Sequence, residues 1–289
     1  MDGLAPSLVV DTREGVTRGR RFYKMSGSGN DFVVFDGRDG DVGDLAEPSR
    51  IRRLCDRRQG IGADGVVIMQ PSPRADLLMK YFNSDGSVGA MCGNAALCVT
   101  RLAAQLGLAN PAGMTLETDD GILQSRLTGD RPEIDLAAVR ELRETADERL
   151  EASERRLGYV VTGVPHVVVL CDDVGRIEVA ARGSVLRRAA WTGRAGANVN
   201  FVSQEGSQWA MRTFERGVEA ETLACGTGAA ATATLLRAWG LAGSQTAFRT
   251  RSGCTLEVGL REAEGAEGSV LPRLRGEGRL VFEGFLGEV

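Results

Sequence analysis

Short apolar runs separated by turns, together with two long helical patterns, organise this chain. Runs rich in apolar and β-branched residues predict strands, which begin near Arg21 and follow at residues 32–35, 65–69, 77–82, 114–117, 121–127, 133–136, 157–162, 166–170, 197–202, 208–215, 248–251, 255–259 and 278–285. Helical spacing of apolar positions predicts helices at residues 46–57, 94–106, 184–188 and 227–239. Many strands around few helices indicate an α+β fold.

The two longer helices belong to a repeat that is centred on cysteine. Residues 81–108 read YFNSDGSVGAMCGNAALCVTRLAAQLGL, and residues 213–241 read TFERGVEAETLACGTGAAATATLLRAWGL. When Cys92 is aligned with Cys225, the glycine after each cysteine and the Gly-Leu pair that ends each helix coincide. A repeat of this length predicts two halves built alike. We therefore expect the two cysteines to face each other across a shared site.

The repeat also suggests how the chain is divided. Residues 1–20 have no sustained periodicity and are expected to form an N-terminal extension. Residues 21–139 are expected to form a first domain, completed by a C-terminal strand at 278–289. The second domain is expected to span residues 140–277, starting with a densely charged crossing segment and including a polar loop at residues 262–273. Each domain should place several strands around one central helix.

Composition narrows the class of protein. The 289 residues are 43% apolar and 26% charged, with a net charge of −4, which argues against nucleic acid as a main partner. Apolar runs stay well below the roughly 20 residues of a membrane span, and the start lacks the apolar core of a signal peptide. No membrane association is therefore expected.

Cysteine and histidine usage points to a metal-free cytoplasmic protein. The six cysteines are scattered without a CxxC pair, which is typical of reduced thiols and not of a disulfide framework. His166 is the single histidine, and the sequence has no Cys/His spacing typical of a metal site. No bound metal is therefore expected.

Each repeated cysteine precedes a helix, and this position has chemical consequences. A helix N-terminus presents unpaired N–H groups and partial positive charge. A thiol there is expected to have a lowered pKa, roughly 3.5–7.5 instead of about 8.5, and the N–H groups can hold a carboxylate. If both helices point inward, one carboxylate lies between them with a thiol on each face of the neighbouring carbon. That geometry suits removal of a proton from one face and its return from the other.

A single cysteine before a helix is more often a small buried apolar residue than a catalyst. The matched pair at Cys92 and Cys225 favours the catalytic interpretation. The other cysteines lack this context and are predicted to be structural: Cys55, Cys98, Cys171 and Cys254.

Several motifs occur in a characteristic order: KMSGSGNDFVVFD, GIGADGV, FNSDGS, MCGN, PH, NVNF and ERGVEAETLACGTGA. With these motifs, residues 21–289 resemble the diaminopimelate epimerase family. The resemblance implies two pseudo-symmetric domains, each a sheet curled around a central helix. It implies interconversion of LL- and meso-diaminopimelate without a cofactor, for lysine and peptidoglycan-precursor synthesis. It also implies a small amino-acid substrate and a homodimer.

The resemblance assigns roles to particular residues. Cys92 and Cys225 would be the catalytic thiols. Substrate binding would involve backbone N–H groups for the reacting carboxylate and side chains for the amines and distal carboxylate, at Asn30, Asn83, Gly93, Asn94, Asn198, Glu215, Arg216, Gly226 and Thr227. His166 would have a supporting role. Taken without the resemblance, Asn30, Asn83 and Asp64 are turn residues, the Glu-Arg pair is a solvated strand end, and the histidine is a packed one.

The chain departs from the family pattern at several positions. Val164 stands where the family has an asparagine that contacts the distal end of the substrate, and Ser26 replaces a histidine. Ala95 and Leu97 replace a glycine and an arginine. None of these changes removes a proton-transfer group. They leave open a racemase of the same fold that acts on another amino acid. From other classes, a dithiol redox protein and an amino-acid-binding module also remain open.

Overall fold

The computed structural model describes residues 19–39, 42–89, 91–144, 150–262 and 270–287, so the predicted extension at residues 1–20 lies almost wholly outside the described residues. The described part of the first half contains β1 (Arg21–Gly27), β2 (Asn30–Asp36), α1 (Pro48–Cys55), β3 (Gly65–Gln70), β4 (Leu77–Asn83), β5 (Val88–Gly89), α2 (Gly93–Gln105), β6 (Met114–Thr118), β7 (Gly121–Thr128), β8 (Arg131–Asp135) and β9 (Val139–Glu144).

The second half repeats this order of elements. It contains β10 (Glu154–Thr162), β11 (Val164–Cys171), α3 (Val179–Arg187), β12 (Asn198–Glu205), β13 (Gln208–Glu215), β14 (Ala220–Thr222), α4 (Gly226–Ala238), β15 (Gln245–Arg249), β16 (Thr255–Glu262), β17 (Val270–Arg275) and β18 (Arg279–Phe285). The helices within the described residues are all too short or too polar to cross a membrane.

Strand pairing gives the two halves the same topology. The pairings run in the order β18, β1, β2, β3, β4, β6, β7, β8, β17, β16, β15, β13, β12, β11, β10, β9. Short strands β5 and β14 pair with β4 and β13. Every strand therefore has a counterpart nine strands later, and the halves join at the antiparallel pair β8–β17, where Ile134 lies opposite Leu274.

The ninth strand of each half is exchanged. β9 pairs with β10 of the second half, and β18 returns to pair with β1 of the first half. The assignment of the C-terminal strand at residues 278–289 to the first domain stays a prediction, and β18 pairs with β1 of that half. The domain boundary at residues 139 and 140 stays a prediction.

One helix lies at the centre of each half because it is apolar on nearly all sides. Buried α2 residues include Ala95, Ala96, Leu97, Cys98, Val99, Leu102 and Ala103, and those of α4 include Ala229, Ala230, Ala231, Ala233, Leu235 and Leu236. A helix without a polar face must be enclosed by other elements. Both helices share one apolar core, whereas α1 and α3 pack on the outside of the sheets in two smaller clusters. The predicted α+β class with a central helix in each half is confirmed.

Two predicted segments differ from the structure. The charged crossing segment contains β9, an edge strand whose side chains are mostly exposed, which explains why its sequence is polar. The predicted loop at residues 262–273 is wrong from Val270 onward, because β17 begins there. Its arginines pair with carboxylates on β8, so the strand lacks a continuous apolar run. Residues 263–269 lie outside the described residues.

Candidate active site

Both cysteine turns have the same backbone conformation. Cys92 precedes α2 with φ −134° and ψ 118°, and Cys225 precedes α4 with φ −131° and ψ 110°. Both conformations are extended, as expected of the residue that immediately precedes a helix. The sequence repeat is therefore matched by a repeat in local structure.

The two helix N-termini lie side by side beneath the central strand pair. The Asn94 side-chain Nδ2 in α2 donates to the carbonyl oxygen of Ala224, 3.3 Å away, in the residue before Cys225. A Cβ added at Gly226 would lie 2.5 Å from Leu274 Cδ2, so the start of α4 packs closely against β17 and a larger residue there would require the Leu274 side chain to shift. The structure thus brings the two cysteine turns together, and the charge of Cys92 contributes to raising the pKa of Cys225.

The ionisation of the thiols differs from the sequence prediction. Burial raises the pKa of Cys92 to about 11, although backbone N–H groups at Ala95 and Asn94 act in the opposite direction. Burial also raises the pKa of Cys225 well above its usual value, and the carboxylate of Glu215 adds to this effect. The predicted lowering is wrong because loss of hydration outweighs the helix N-terminus. Both thiols are protonated at neutral pH when no substrate is bound.

Glu215 is the last residue of β13 and contacts Cys225. The Cys225 thiol donates to Glu215 Oε1 over 3.9 Å and lies 3.6 Å from Thr227 Oγ1. Burial raises the pKa of Glu215, while the hydrogen bond from Cys225 acts in the opposite direction. This carboxylate can accept the thiol proton of Cys225. Its counterpart at the end of β4 is Asn83, whose Nδ2 donates to Ser87 Oγ over 3.0 Å.

Asn30 and Asn94 form one hydrogen-bonded unit with Asp64. Asn30 donates from Nδ2 to Asp64 Oδ2 over 3.0 Å, and its Oδ1 accepts from Asn94 Nδ2 over 2.8 Å. Arg57 holds both Asp64 and Asp31 through bonds of 2.8 and 2.7 Å. Asp64 therefore fixes which end of the Asn30 amide faces α2, in addition to its predicted place in a turn.

Asn198, Arg216 and His166 lie together in the second half. Asn198 Oδ1 accepts from the backbone N–H of Arg216 over 2.8 Å, and Asn198 is the partner of His166 in the parallel pair β11–β12. His166 is 0% exposed. Burial and the nearby Arg216 charge lower the pKa of His166 to about 3, so the imidazole is neutral.

Two residues of this region were missed by the sequence reasoning. Asn200 contacts His166 from β12, and Gly228 in the first turn of α4 leaves room for it, since a Cβ there would overlap Asn200 Oδ1. The available signal was the NVNF motif: in a strand, two asparagines separated by one residue point to the same face.

Three of the positions that depart from the family pattern lie in different surroundings. Val164 begins β11 at the position equivalent to Asn30, beside a hairpin glycine, Gly163, that has no heavy atom within 4 Å of an added Cβ. Ser26 donates to Glu277 Oε2 over 3.3 Å. Leu97 is fully buried in α2. Val164, which stands where the family has an asparagine, therefore lies at the end of a strand, beside a glycine with open surroundings.

The remaining cysteines and possible metal ligands do not form a second site. Within the described residues, no three His, Cys, Asp or Glu side chains are grouped so as to hold a metal ion. Burial raises the pKa of Cys55 to about 11 and that of Cys171 to about 12, and also raises that of Cys98. Cys254 is partly buried near Glu277. All four lie outside the two helix turns, as predicted.

Solved structures share this fold. A PhzF-family phenazine biosynthesis protein from Bacillus anthracis superposes with a TM-score of 0.71 at 15% identity, covering 93% of this chain and 99% of that one. A hydroxyproline epimerase from Agrobacterium vitis superposes with a TM-score of 0.69 at 19% identity, covering 94% and 93%. At these identities the likeness concerns the fold alone.

Sequence comparison identifies the family. The family model described as diaminopimelate epimerase matches residues 22–140 and 158–269. A diaminopimelate epimerase from Gemmatimonas aurantiaca is 48% identical over 271 residues, covering 91% of this chain and 98% of that protein. One from Flavobacterium psychrophilum is 34% identical, with the same coverage of both chains. The chain belongs to the diaminopimelate epimerase family.

Proposed function

We propose that this protein is a cofactor-independent epimerase that interconverts LL- and meso-diaminopimelate in lysine and peptidoglycan-precursor synthesis. The observation that carries the proposal is the meeting of two identical cysteine turns, Cys92 and Cys225, at adjacent helix N-termini. Inversion at a carbon requires a proton donor and a proton acceptor on opposite faces. Two halves related by pseudo-symmetry supply one thiol each.

The chemical step follows from the groups at the two turns. In the direction that uses Cys225 as base, its S–H bond breaks and the proton passes to the Glu215 carboxylate. The resulting thiolate removes the α-hydrogen of the substrate, and the Cys92 thiol gives its proton to the opposite face. Backbone N–H groups at Gly93, Asn94, Gly226 and Thr227 stabilise the negative charge that develops on the α-carboxylate. The step leaves Cys92 as a thiolate and Glu215 protonated. In the reverse direction the Cys92 thiolate is the base, Cys225 gives its proton to the opposite face, and Glu215 returns its proton to Cys225.

The ends of the substrate would be held by polar groups around the turns. Arg216 suits the distal carboxylate, because a guanidinium forms two parallel hydrogen bonds with it. Glu215 with Asn83 suits an ammonium group, and the side-chain amides of Asn30 and Asn198 would add hydrogen bonds to the substrate. Val164 removes one amide from the distal end. A racemase of the same fold acting on another amino acid therefore remains the second candidate.

We further propose a cytoplasmic homodimer. The six cysteines are unpaired, which suits a reducing compartment. Strand β18 pairs only with β1 among the described strands and exposes Val281, Phe282 and Phe285 by 47%, 47% and 61%. An edge strand with exposed large apolar side chains is a surface that another copy could cover. Light scattering of the purified protein gives the mass that decides this point.

Exchange of the α-hydrogen in deuterated water tests the proposed activity. Under reducing conditions we expect LL- and meso-diaminopimelate to interconvert and to acquire deuterium at the inverted carbon. Cys92→Ala and Cys225→Ala should each lower the rate of epimerisation by about 10³-fold or more. Cys254→Ala is the matched control and should leave the rate unchanged.

Each alternative gives a different result in this assay. Inactivity on diaminopimelate with exchange of another amino acid from a panel would identify the racemase. Binding of diaminopimelate by calorimetry without any exchange would identify a binding module. Thiol–disulfide exchange without α-hydrogen exchange would identify a redox protein. Full activity of either cysteine variant would contradict the two-base mechanism.

A further inference from the structure

His166 has one ring nitrogen with a partner and one without. Its Nδ1 lies 3.2 Å from Asn200 Nδ2. Its Nε2 is buried and has no hydrogen-bond partner among the residues that the structure describes. A fully buried polar atom without a partner is unfavourable unless a ligand supplies the missing hydrogen bond.

The orientation of the Asn200 amide follows from its neighbours. Asn200 Nδ2 lies 3.0 Å from the carbonyl oxygen of Val167, which can only accept a hydrogen bond. The NH₂ group must therefore face Val167, and Oδ1 must face the other way. There it accepts from Thr213 Oγ1 over 3.0 Å. The amide is thus held at both ends, and Thr213 is the donor at the second end.

This orientation determines where the imidazole carries its proton. The second N–H of the Asn200 amide points to His166 Nδ1, so Nδ1 must accept and cannot be protonated. A neutral imidazole then carries its proton on Nε2. The single unpartnered nitrogen is therefore an N–H donor. Its neighbour Arg216 is close enough for its charge to lower the pKa of His166. An N–H donor within the electrostatic reach of a guanidinium favours an anion as the missing partner.

The first half shows that the fold does not need these polar groups. Strand pairing matches Phe32, Val67 and Tyr81 in the first half with His166, Asn200 and Thr213 in the second. Phe32 and Tyr81 pack ring against ring there, with centroids 6.1 Å apart. The same scaffold is thus built with apolar packing in one half and with a buried polar chain in the other. A merely structural role does not explain the polar version.

We propose that Asn200 and Thr213 are positioning residues that hold His166 in the Nε2–H tautomer, so that the imidazole donates to a carboxylate of the bound substrate beside Arg216. The identity of the carboxylate rests on the proposed function. The tautomer does not, because it follows from contacts within the chain.

Nitrogen NMR tests the tautomer directly. His166 is the only histidine in the sequence, so ¹⁵N-histidine labelling gives one imidazole. In the intact protein near pH 7, we expect a protonated Nε2 and an unprotonated, hydrogen-bond-accepting Nδ1. A protonated Nδ1, an imidazolium, or a rapidly averaged pair of tautomers would overturn the proposal.

Variants of the positioning residues separate this role from a structural one. Asn200→Asp places a carboxylate oxygen against Nδ1 and should move the proton to Nδ1. Thr213→Val removes the donor to Asn200 Oδ1 and should give a mixture of tautomers, whereas Thr213→Ser keeps the hydroxyl and should preserve the Nε2–H signal. If Asn200→Asp does not fold, the Thr213 pair still decides the question. An unchanged spectrum in folded Thr213→Val would contradict the positioning role of Thr213.

Addition of meso-diaminopimelate tests whether the Nε2–H group of His166 donates to the substrate. The Nε2 signal should shift on saturation while the Nδ1 signal stays nearly constant. For Thr213→Val we expect KM to rise about tenfold with a smaller change in kcat, as for loss of a hydrogen bond to a charged group, and Thr213→Ser should restore KM. An unmoved Nε2 signal at saturation would refute the contact with substrate. Failure of diaminopimelate to bind at all would refute the proposed substrate but leave the tautomer result standing.

Discussion

The two cysteine turns have the same backbone but different neighbours. Cys225 contacts the carboxylate of Glu215, whereas the equivalent strand end beside Cys92 carries the neutral amide of Asn83. After the cysteine, Thr227 in one turn replaces Asn94 in the other, and only the asparagine reaches across to the opposite half. The duplicated scaffold thus supplies the symmetry of position. The carboxylate that contacts a catalytic thiol is present on one side only.

This difference makes the two faces of the site unequal. The Cys225 thiol has a carboxylate to receive its proton. The Cys92 thiol, which is more exposed, has a raised pKa of about 11. Substitutions at equivalent positions of the two turns, and the reactivity of their thiols, should therefore differ between the halves.

Among the changes that test this difference, removal of the Glu215 charge should have the largest effect on activity. Glu215→Gln gives the second half the neutral amide that the first half has in Asn83. We expect kcat to fall about 10²-fold, because the proton acceptor for Cys225 is lost. The loss in kcat/KM should be the same in both directions, because the equilibrium between the isomers is unchanged and each direction passes through the same proton transfers.

Steady-state kinetics in both directions measure this effect. Glu219→Gln is the matched control, since Glu219 is paired with Arg187 in the adjacent turn and lies at the surface. No loss, or a loss that Glu219→Gln shows equally, would contradict the role of the Glu215 carboxylate as proton acceptor for Cys225.

A second comparison concerns helix positions three residues after each cysteine. The first half has Ala95 there and the second half has Gly228, whose place next to Asn200 leaves no room for a Cβ. Gly228→Ala should lower the free energy of unfolding by about 2 kcal/mol through overpacking. The reciprocal Ala95→Gly should lower it by about 1 kcal/mol through helix propensity.

Urea unfolding of both variants measures the difference. The overpacking should also displace Asn200, so Gly228→Ala should disturb the His166 imidazole signals while Ala95→Gly should not. A stabilised Gly228→Ala variant would contradict the close approach between α4 and β12.

The smallest expected difference is in thiol reactivity. Because the pKa of Cys92 is raised to about 11, its thiolate fraction should increase about tenfold for each pH unit between pH 7 and 10. Alkylation by iodoacetamide should follow this slope without a plateau. Cys225, which is 5% exposed and has its pKa raised further by a carboxylate, should react more slowly at every pH.

Site-resolved mass spectrometry gives both rates in one sample, with partly buried Cys254 as an internal reference. A plateau below pH 8 for Cys92 would mean that the helix N-terminus outweighs burial, as the sequence alone suggested.

The repeat in the sequence was sufficient to predict the central helices and the extended residue that precedes each of them. Glycines after Cys92 and Cys225 and at the helix ends recur at fixed spacing, and such local signals survive in a single sequence. The central helices were predictable because their apolar residues occur on all sides. These features depend on local patterning, and the structure reproduces them.

Features that depend on tertiary contacts were not predictable. β9 and β17 are polar because cross-strand ion pairs and an exposed edge replace an apolar run, so their sequences are typical of loops. The thiol pKa values depend on burial, which the sequence around Cys92 does not reveal. The role of Asn200 depends on partners from other elements. Strand β13 places Thr213 opposite Asn200, and α4 places Gly228 against it.

The exchanged ninth strands have a consequence for the origin of the molecule. A gene for one repeat would encode a chain whose last strand has no place beside its own first strand, since β9 pairs with β10 and β18 with β1. Two identical copies would complete each other, and the twin thiols would meet at their shared axis. Tandem duplication and fusion of such an ancestor would have freed the copies to diverge, so that one now has Phe32 where the other has His166.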